Sequence, residues 1–137
     1  MRALKTFIPL FVLLFAFAPA QAKEDSPMAV EGTATISVDE AKALFDNGVV
    51  FVDVRGDSDF EAGRIPGALH LNSKTALNEA SLIEVAKKDQ EIVMYCNGQK
   101  CMRSSIASEK AVAWGFTNVK YFRDGYPSWQ SAGYPVE

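Results

Sequence analysis

The sequence predicts an α/β fold, a mainly parallel sheet with helices on both sides, and three observations carry that prediction. Val49-Val50-Phe51-Val52 and Ile92-Val93-Met94-Tyr95 are unbroken apolar runs rich in β-branched residues, which is how a strand covered on both faces reads. Segments of helical periodicity alternate with these runs at the spacing of βαβ units. The 137 residues are 48% hydrophobic and 23% charged, a globular balance at a length that holds one domain.

Taken in chain order, Arg2 and Lys5 precede an apolar stretch over residues 7–18, which is too short to span the hydrocarbon core of a bilayer. Ala20-Gln21-Ala22 then supplies the small residues that a signal peptidase admits, so residues 1–22 read as a secretory signal peptide rather than a retained anchor. No cysteine follows them, which argues against lipid attachment. The expected location is periplasmic or secreted, with no stable membrane insertion once the signal is removed. Residues 23–32 carry Pro27, lack periodicity and are expected to be a flexible lead-in.

The domain proper should start with a short strand over residues 33–36. Ser37-Val38-Asp39-Glu40 has the form of a capping box, in which serine hydroxyl and glutamate carboxylate satisfy each other's free amides. It predicts a helix carrying Val38, Ala41 and Phe45 on one face, stopped by Asn47-Gly48. The strand at Val49-Val50-Phe51-Val52 runs into Asp53-Val54-Arg55. Gly63, Pro66 and Gly67 mark a turn, and residues 68–71 make a further short strand. A helix is expected over residues 78–88, with Asn78 as cap and Lys87-Lys88 in its last turn. The second buried strand, a helix over residues 104–114 closed by Gly115, and a last strand over residues 119–122 complete the order.

Charge and residue counts restrict the chemistry. The formal net charge is −3, and no block of Lys and Arg is present to follow a phosphate backbone, so nucleic acid is not an expected partner. Two cysteines and one histidine cannot build a disulfide scaffold or a four-ligand zinc site. Thiols and carboxylates are left to carry any reaction.

In an open α/β sheet ligands bind at the carboxyl ends of the strands, where loops gather and helix amino-termini point inward. That rule selects Cys96, directly after a buried strand and followed by Asn97-Gly98-Gln99-Lys100-Cys101-Met102-Arg103 and a helix start. Helix amides, Lys100 and Arg103 favour a thiolate over a thiol, so Cys96 is expected to have a depressed pKa and to act as a nucleophile. Gly98 lets successive loop amides turn toward an anion. A small buried hydrophobe at a strand end is the competing reading of Cys96. Cys101 reads as a resolving thiol, as a disulfide partner of Cys96, or as a packing residue.

Phe51-Val52-Asp53-Val54-Arg55, Phe60-Glu61-Ala62-Gly63-Arg64-Ile65-Pro66-Gly67-Ala68, Tyr95-Cys96, Arg103-Ser104, Gly115-Phe116-Thr117-Asn118-Val119, Asp124-Gly125, Trp129 and Gly133-Tyr134-Pro135-Val136 together resemble the single-domain rhodaneses. The resemblance keeps the family's order over residues 33–137. It implies a rhodanese-like five-stranded parallel sheet sandwiched between helices, and a sulfurtransferase whose cysteine carries a sulfane sulfur as a persulfide. In that reading the Cys96 thiolate takes the outer sulfur of a donor such as thiosulfate, and a thiophilic acceptor, cyanide or a thiol, removes it. Lys100 and Arg103 would hold the donor's oxygens, with the amides of Asn97, Gly98 and Gln99 lining the site. No metal or organic cofactor is called for. Asp53 and Arg55 match the family's Asp-x-Arg and are read as loop support, or as a strand-end ion pair without a catalytic role.

Some positions depart from the family. The basic residue usually found five positions after the cysteine is Cys101 here, and the arginine follows two later at Arg103, so the loop is longer and its donor can differ. Arg64 stands where histidine is usual, which leaves His70 as a structural or surface residue. Asp124 replaces the first of a common glycine pair, a tolerated turn variation. The competing functions are a thiol-disulfide redox protein using Cys96 and Cys101, a phosphatase or arsenate reductase, and a non-catalytic module with a structural disulfide. Tyr121, Phe122, Tyr126, Trp129 and Tyr134 read as core packing in preference to a docking surface.

Overall fold

The computed structural model describes residues 24–137; the signal-peptide reading of residues 1–22 lies outside them. Among the described residues five strands, β1 (Thr33–Thr35), β2 (Val50–Asp53), β3 (Leu69–His70), β4 (Ile92–Tyr95) and β5 (Val119–Phe122), alternate with five helices, α1 (Val38–Asp46), α2 (Asp57–Ala62), α3 (Glu79–Val85), α4 (Arg103–Ala113) and α5 (Gly125–Ser131). All strand pairs are parallel and the order is β1-β5-β4-β2-β3. The apolar β4 run is central, with every residue buried.

Alternation along the strands divides the core between the two sheet faces. Val52, Ile92, Met94 and Cys96 pack with Leu82 of α3 and Ala107 and Ala111 of α4. Phe51, Val93, Tyr95 and Phe122 pack on the other face with Ala41 of α1 and Trp129 of α5. Trp129 lies edge-on to Phe45, Phe51 and Tyr134, and Tyr121 and Phe122 are buried, so the C-terminal aromatics serve the core. Cys96 is therefore fixed at the end of the central strand, on the α3/α4 face.

The capping box at Ser37 forms as expected, with Glu40 N donating to Ser37 Oγ at 3.1 Å and Ser37 N to Glu40 Oε1 at 3.3 Å. The helix expected over residues 78–88 does start at the Asn78 cap but ends at Val85, where Ala86 turns extended and buries its methyl group. Lys87 and Lys88 thus lie beyond it. Lys88 Nζ instead donates to Trp114 O at 2.6 Å, placing its charge at the carboxyl end of α4, where the helix dipole favours it. Two short helices were not legible: α2 buries no residue and so has no apolar stripe, and α5 carries Pro127, tolerated in a first turn, inside what reads as a turn.

The lead-in is not free in its described part. Ser26 and Val30 are buried, Tyr121 Oη donates to Pro27 O at 2.9 Å, and the Arg123 guanidinium donates to Ser26 O at 2.9 Å. These donors from β5 and its end satisfy backbone carbonyls that a mobile segment would leave to water. That is why residues expected to be loose are held.

Candidate functional site

The site is the loop between β4 and α4. Cys96 begins it with 0% exposure. Its Sγ lies 3.1 Å from Ser104 Oγ and accepts the Ser104 amide at 3.2 Å, so the first turn of α4 directs donors at the sulfur. The Cys101 carbonyl oxygen lies 3.5 Å from the same sulfur. On the far side Cys96 O accepts the Tyr126 amide at 2.9 Å. Gly125, at φ +62°, permits this approach: a Cβ there would stand 2.2 Å from Cys96 O and 2.8 Å from Gly98 N. Gly98 adopts φ +99°, and its carbonyl accepts the Cys101 amide at 2.9 Å, closing a turn that brings the second cysteine back over the first.

The side chains of the loop are tied outward by carboxylates. Asn97 Nδ2 donates to Asp59 at 2.9 Å, Gln99 Nε2 to Asp124 at 3.0 Å, and Lys100 forms an ion pair with Asp25 of the lead-in. Lys100's hydrogen bond and charge hold the Asp25 carboxyl below its usual range. The Ser26 amide also donates to Gln99 O at 2.7 Å, so the lead-in straps the loop at two adjacent residues. Lys100, expected to face a donor, is thus engaged with Asp25. Arg103 donates to Asn72 Oδ1 at 3.2 Å, and Asn72 donates to Asp57 at 2.9 Å.

Beneath the loop Asp53 and Arg55 form a buried ion pair, with Arg55 Nη2 2.7 Å from Asp53 Oδ2. Arg55 also donates to Gly63 O at 2.7 Å and to Asn97 Oδ1 at 3.3 Å, and its guanidinium lies 4.4 Å over the Tyr126 ring. The pair read from sequence as loop support therefore contacts the loop through Asn97. His70 stacks on Phe60 at 4.3 Å and shares a hydrogen bond with Arg55 O. Arg64 stacks over the same Phe60 ring and pairs with Glu137.

Ionisation is distributed differently from the sequence-based expectation of a depressed Cys96. Cys101 is pulled down to about 6, by the hydrogen bond from Cys96 first and, against its burial, by the amides of Asn97 and Arg103 and the Arg103 charge. Cys96 is pushed up, by its hydrogen bond with Cys101, by burial and by Cys101's negative charge, with Ser104 opposing. Where the two sulfurs share one proton, negative charge is favoured on Cys101, the partly exposed one. The physical reason is that the loop amides expected to serve Cys96 point at Cys101.

Sequence reasoning missed Ser104, Asn72, Gly125 and the lead-in as parts of the site. Ser104 had a signal, its place at the first turn of the helix after Arg103. The others are brought in by tertiary packing. A cleft of about 390 Å³ lined by Gly98, Lys100, Asp124, Pro127 and Ser131 opens beside the loop. A larger one, about 670 Å³, lies between the lead-in and α4 and includes neither cysteine.

A parallel five-stranded sheet with a cysteine-bearing loop at the end of its central strand defines the class: an α/β domain with a thiol at its candidate site. Residues 37–132 match the rhodanese-like domain family, and the chain belongs to it. It is 31% identical over 102 residues to the thiosulfate sulfurtransferase GlpE of Pseudomonas fluorescens, covering 74% of this chain and 88% of that one. It is 35% identical over 89 residues to the tRNA uridine(34) hydroxylase of Buchnera aphidicola, covering 60% of this chain but only 27% of that longer protein. The structure superimposes on the human single-domain sulfurtransferase TSTD1 with a TM-score of 0.58 at 27% identity, covering 71% of this chain and 95% of that one.

Proposed function

We propose that this chain is an exported sulfurtransferase, periplasmic or secreted after loss of residues 1–22, that moves a sulfane sulfur through a persulfide on Cys96. The donor is an anionic sulfane compound such as thiosulfate, and the acceptor is cyanide or a thiol. Cys101 enters as the base. As the Cys96 sulfur attacks the outer sulfur of thiosulfate, its proton passes to the Cys101 thiolate, the bond between the two donor sulfurs breaks, and sulfite departs with that electron pair. What remains is a Cys96 persulfide anion and a neutral Cys101 thiol.

The observation that carries this reading is the donor set on Cys96: a buried sulfur at the end of the central strand with the Ser104 amide and hydroxyl 3.2 and 3.1 Å away. Those groups stabilise negative charge developing on sulfur. Arg103 and the loop amides receive the donor's oxyanions. Lys100 joins them on leaving Asp25, since an exposed, solvent-screened ion pair is easily exchanged. The relatedness to a thiosulfate sulfurtransferase over most of both chains supports the donor class. Thiocyanate formation from thiosulfate and cyanide tests the reading. The wild type should show ping-pong kinetics and Cys96→Ser none, whereas transfer by Cys96→Ser at the wild-type rate would overturn it.

A further inference from the structure

Cys101 is placed for more than proton transfer. It is the one other thiol in the chain, its carbonyl oxygen lies 3.5 Å from Cys96 Sγ, and it is partly exposed where Cys96 is fully buried. The Gly98 turn that holds it there is closed by the 2.9 Å bond from the Cys101 amide to Gly98 O. A persulfide formed on Cys96 would lie under this loop, with Cys101 the nearest nucleophile and any external acceptor required to enter past it.

We propose that the Cys96–Cys101 pair releases the transferred sulfur as hydrosulfide, closing to a disulfide and making the domain a sulfide-releasing, dithiol-consuming enzyme as well as a transferase. This rests on the persulfide reading above. The Cys101 sulfur attacks Sγ of Cys96, a bond forms between the two cysteine sulfurs, and the bond from Sγ to the outer sulfur breaks. The outer sulfur leaves with the electron pair and the Cys101 proton as HS⁻. Charge and atoms balance without an external oxidant, because the sulfane sulfur is itself reduced as the two cysteines are oxidised. An external dithiol then reopens the disulfide.

Two features favour attack at the inner sulfur over transfer of the outer one to Cys101. Thiol exchange proceeds through the better leaving group, and Cys96, buried and beside a second sulfur, is a poor one. Hydrosulfide, small enough to pass the loop and hydrated once beyond it, is the better one. Proximity favours the internal thiol over a dilute external one, since well-oriented intramolecular reactions reach effective concentrations of about 10⁵ M or more.

The experiment uses the full chain, reduced and kept free of oxygen, treated with thiosulfate and no acceptor. Intact-mass measurement and sulfide and sulfite determinations follow. The wild type should release one sulfite and one sulfide per chain and end two hydrogens lighter. Cys101→Ser, with Cys101→Ala as a second variant, lacks the base and loads more slowly; followed to completion at alkaline pH, where Cys96 ionises to solvent base, each should release sulfite, gain one sulfur atom and yield no sulfide. A wild type that keeps the added sulfur and yields no sulfide would overturn the inference while leaving the transferase intact. Absence of sulfite and of added sulfur in wild type and variants alike would overturn both.

Discussion

Arg55→Met removes the node that joins the strand end, the turn at Gly63 and the active loop. Arg55 is 2% exposed and Asp53 0%. The guanidinium makes three contacts to the Asp53 carboxylate, at 2.7, 3.0 and 3.1 Å, and further bonds to Gly63 O and Asn97 Oδ1. Methionine preserves much of the side-chain volume against Tyr126 but strands a buried carboxylate. Breaking a buried pair from one side costs about 3–5 kcal/mol, a large share of the roughly 5–15 kcal/mol that holds a domain of this kind folded. Replacing both partners is much milder, because no charge is left unpaired. Urea unfolding followed by circular dichroism should show Arg55→Met destabilised by about 3–5 kcal/mol, with Asp53→Asn in the same chain restoring at least about 1 kcal/mol. If Arg55→Met falls within about 0.5 kcal/mol of wild type, the range of an ordinary surface change, the pair does not support the loop in the way argued.

Two other outcomes are expected. Alkylation of Cys101 by iodoacetamide, followed by peptide mapping, should rise with pH about a midpoint near 6, because the thiolate is the reacting form and forms as pH increases; a midpoint near the ordinary thiol value of about 8.5 would contradict the shared-proton arrangement. Gly125→Ala puts a Cβ 2.2 Å from Cys96 O at a positive φ. Overpacking of about 1–3 kcal/mol and a left-handed penalty of about 1 kcal/mol should lower the melting temperature by about 10 °C or more, and an unchanged melting temperature would show that the loop yields freely.

What the sequence disclosed, and what it withheld, follows from the range of the forces involved. The β4 strand was legible because a residue buried on both faces must be apolar at every position, and α1 because Ser37 and Glu40 act within one turn. Cys96 stood out because a strand end in a parallel sheet is a site by topology. The α5 helix was not legible because its burial rests on one residue, Trp129, with Gly125, and not on a repeating stripe. The lead-in's attachments come from Tyr121 and Arg123, more than 90 residues away. The exchange of roles between Cys96 and Cys101 depends on which way the Asn97 and Arg103 amides point, and composition and spacing do not encode that direction.

Whether Cys96 takes a sulfur atom from a sulfane donor is read from the first turnover. Reduced protein is mixed rapidly with thiosulfate and sulfite is measured before any acceptor is added. A burst of one sulfite per chain is expected from the wild type and none from Cys96→Ser. A burst of equal size from Cys96→Ser, or none from fully reduced wild type, would contradict it.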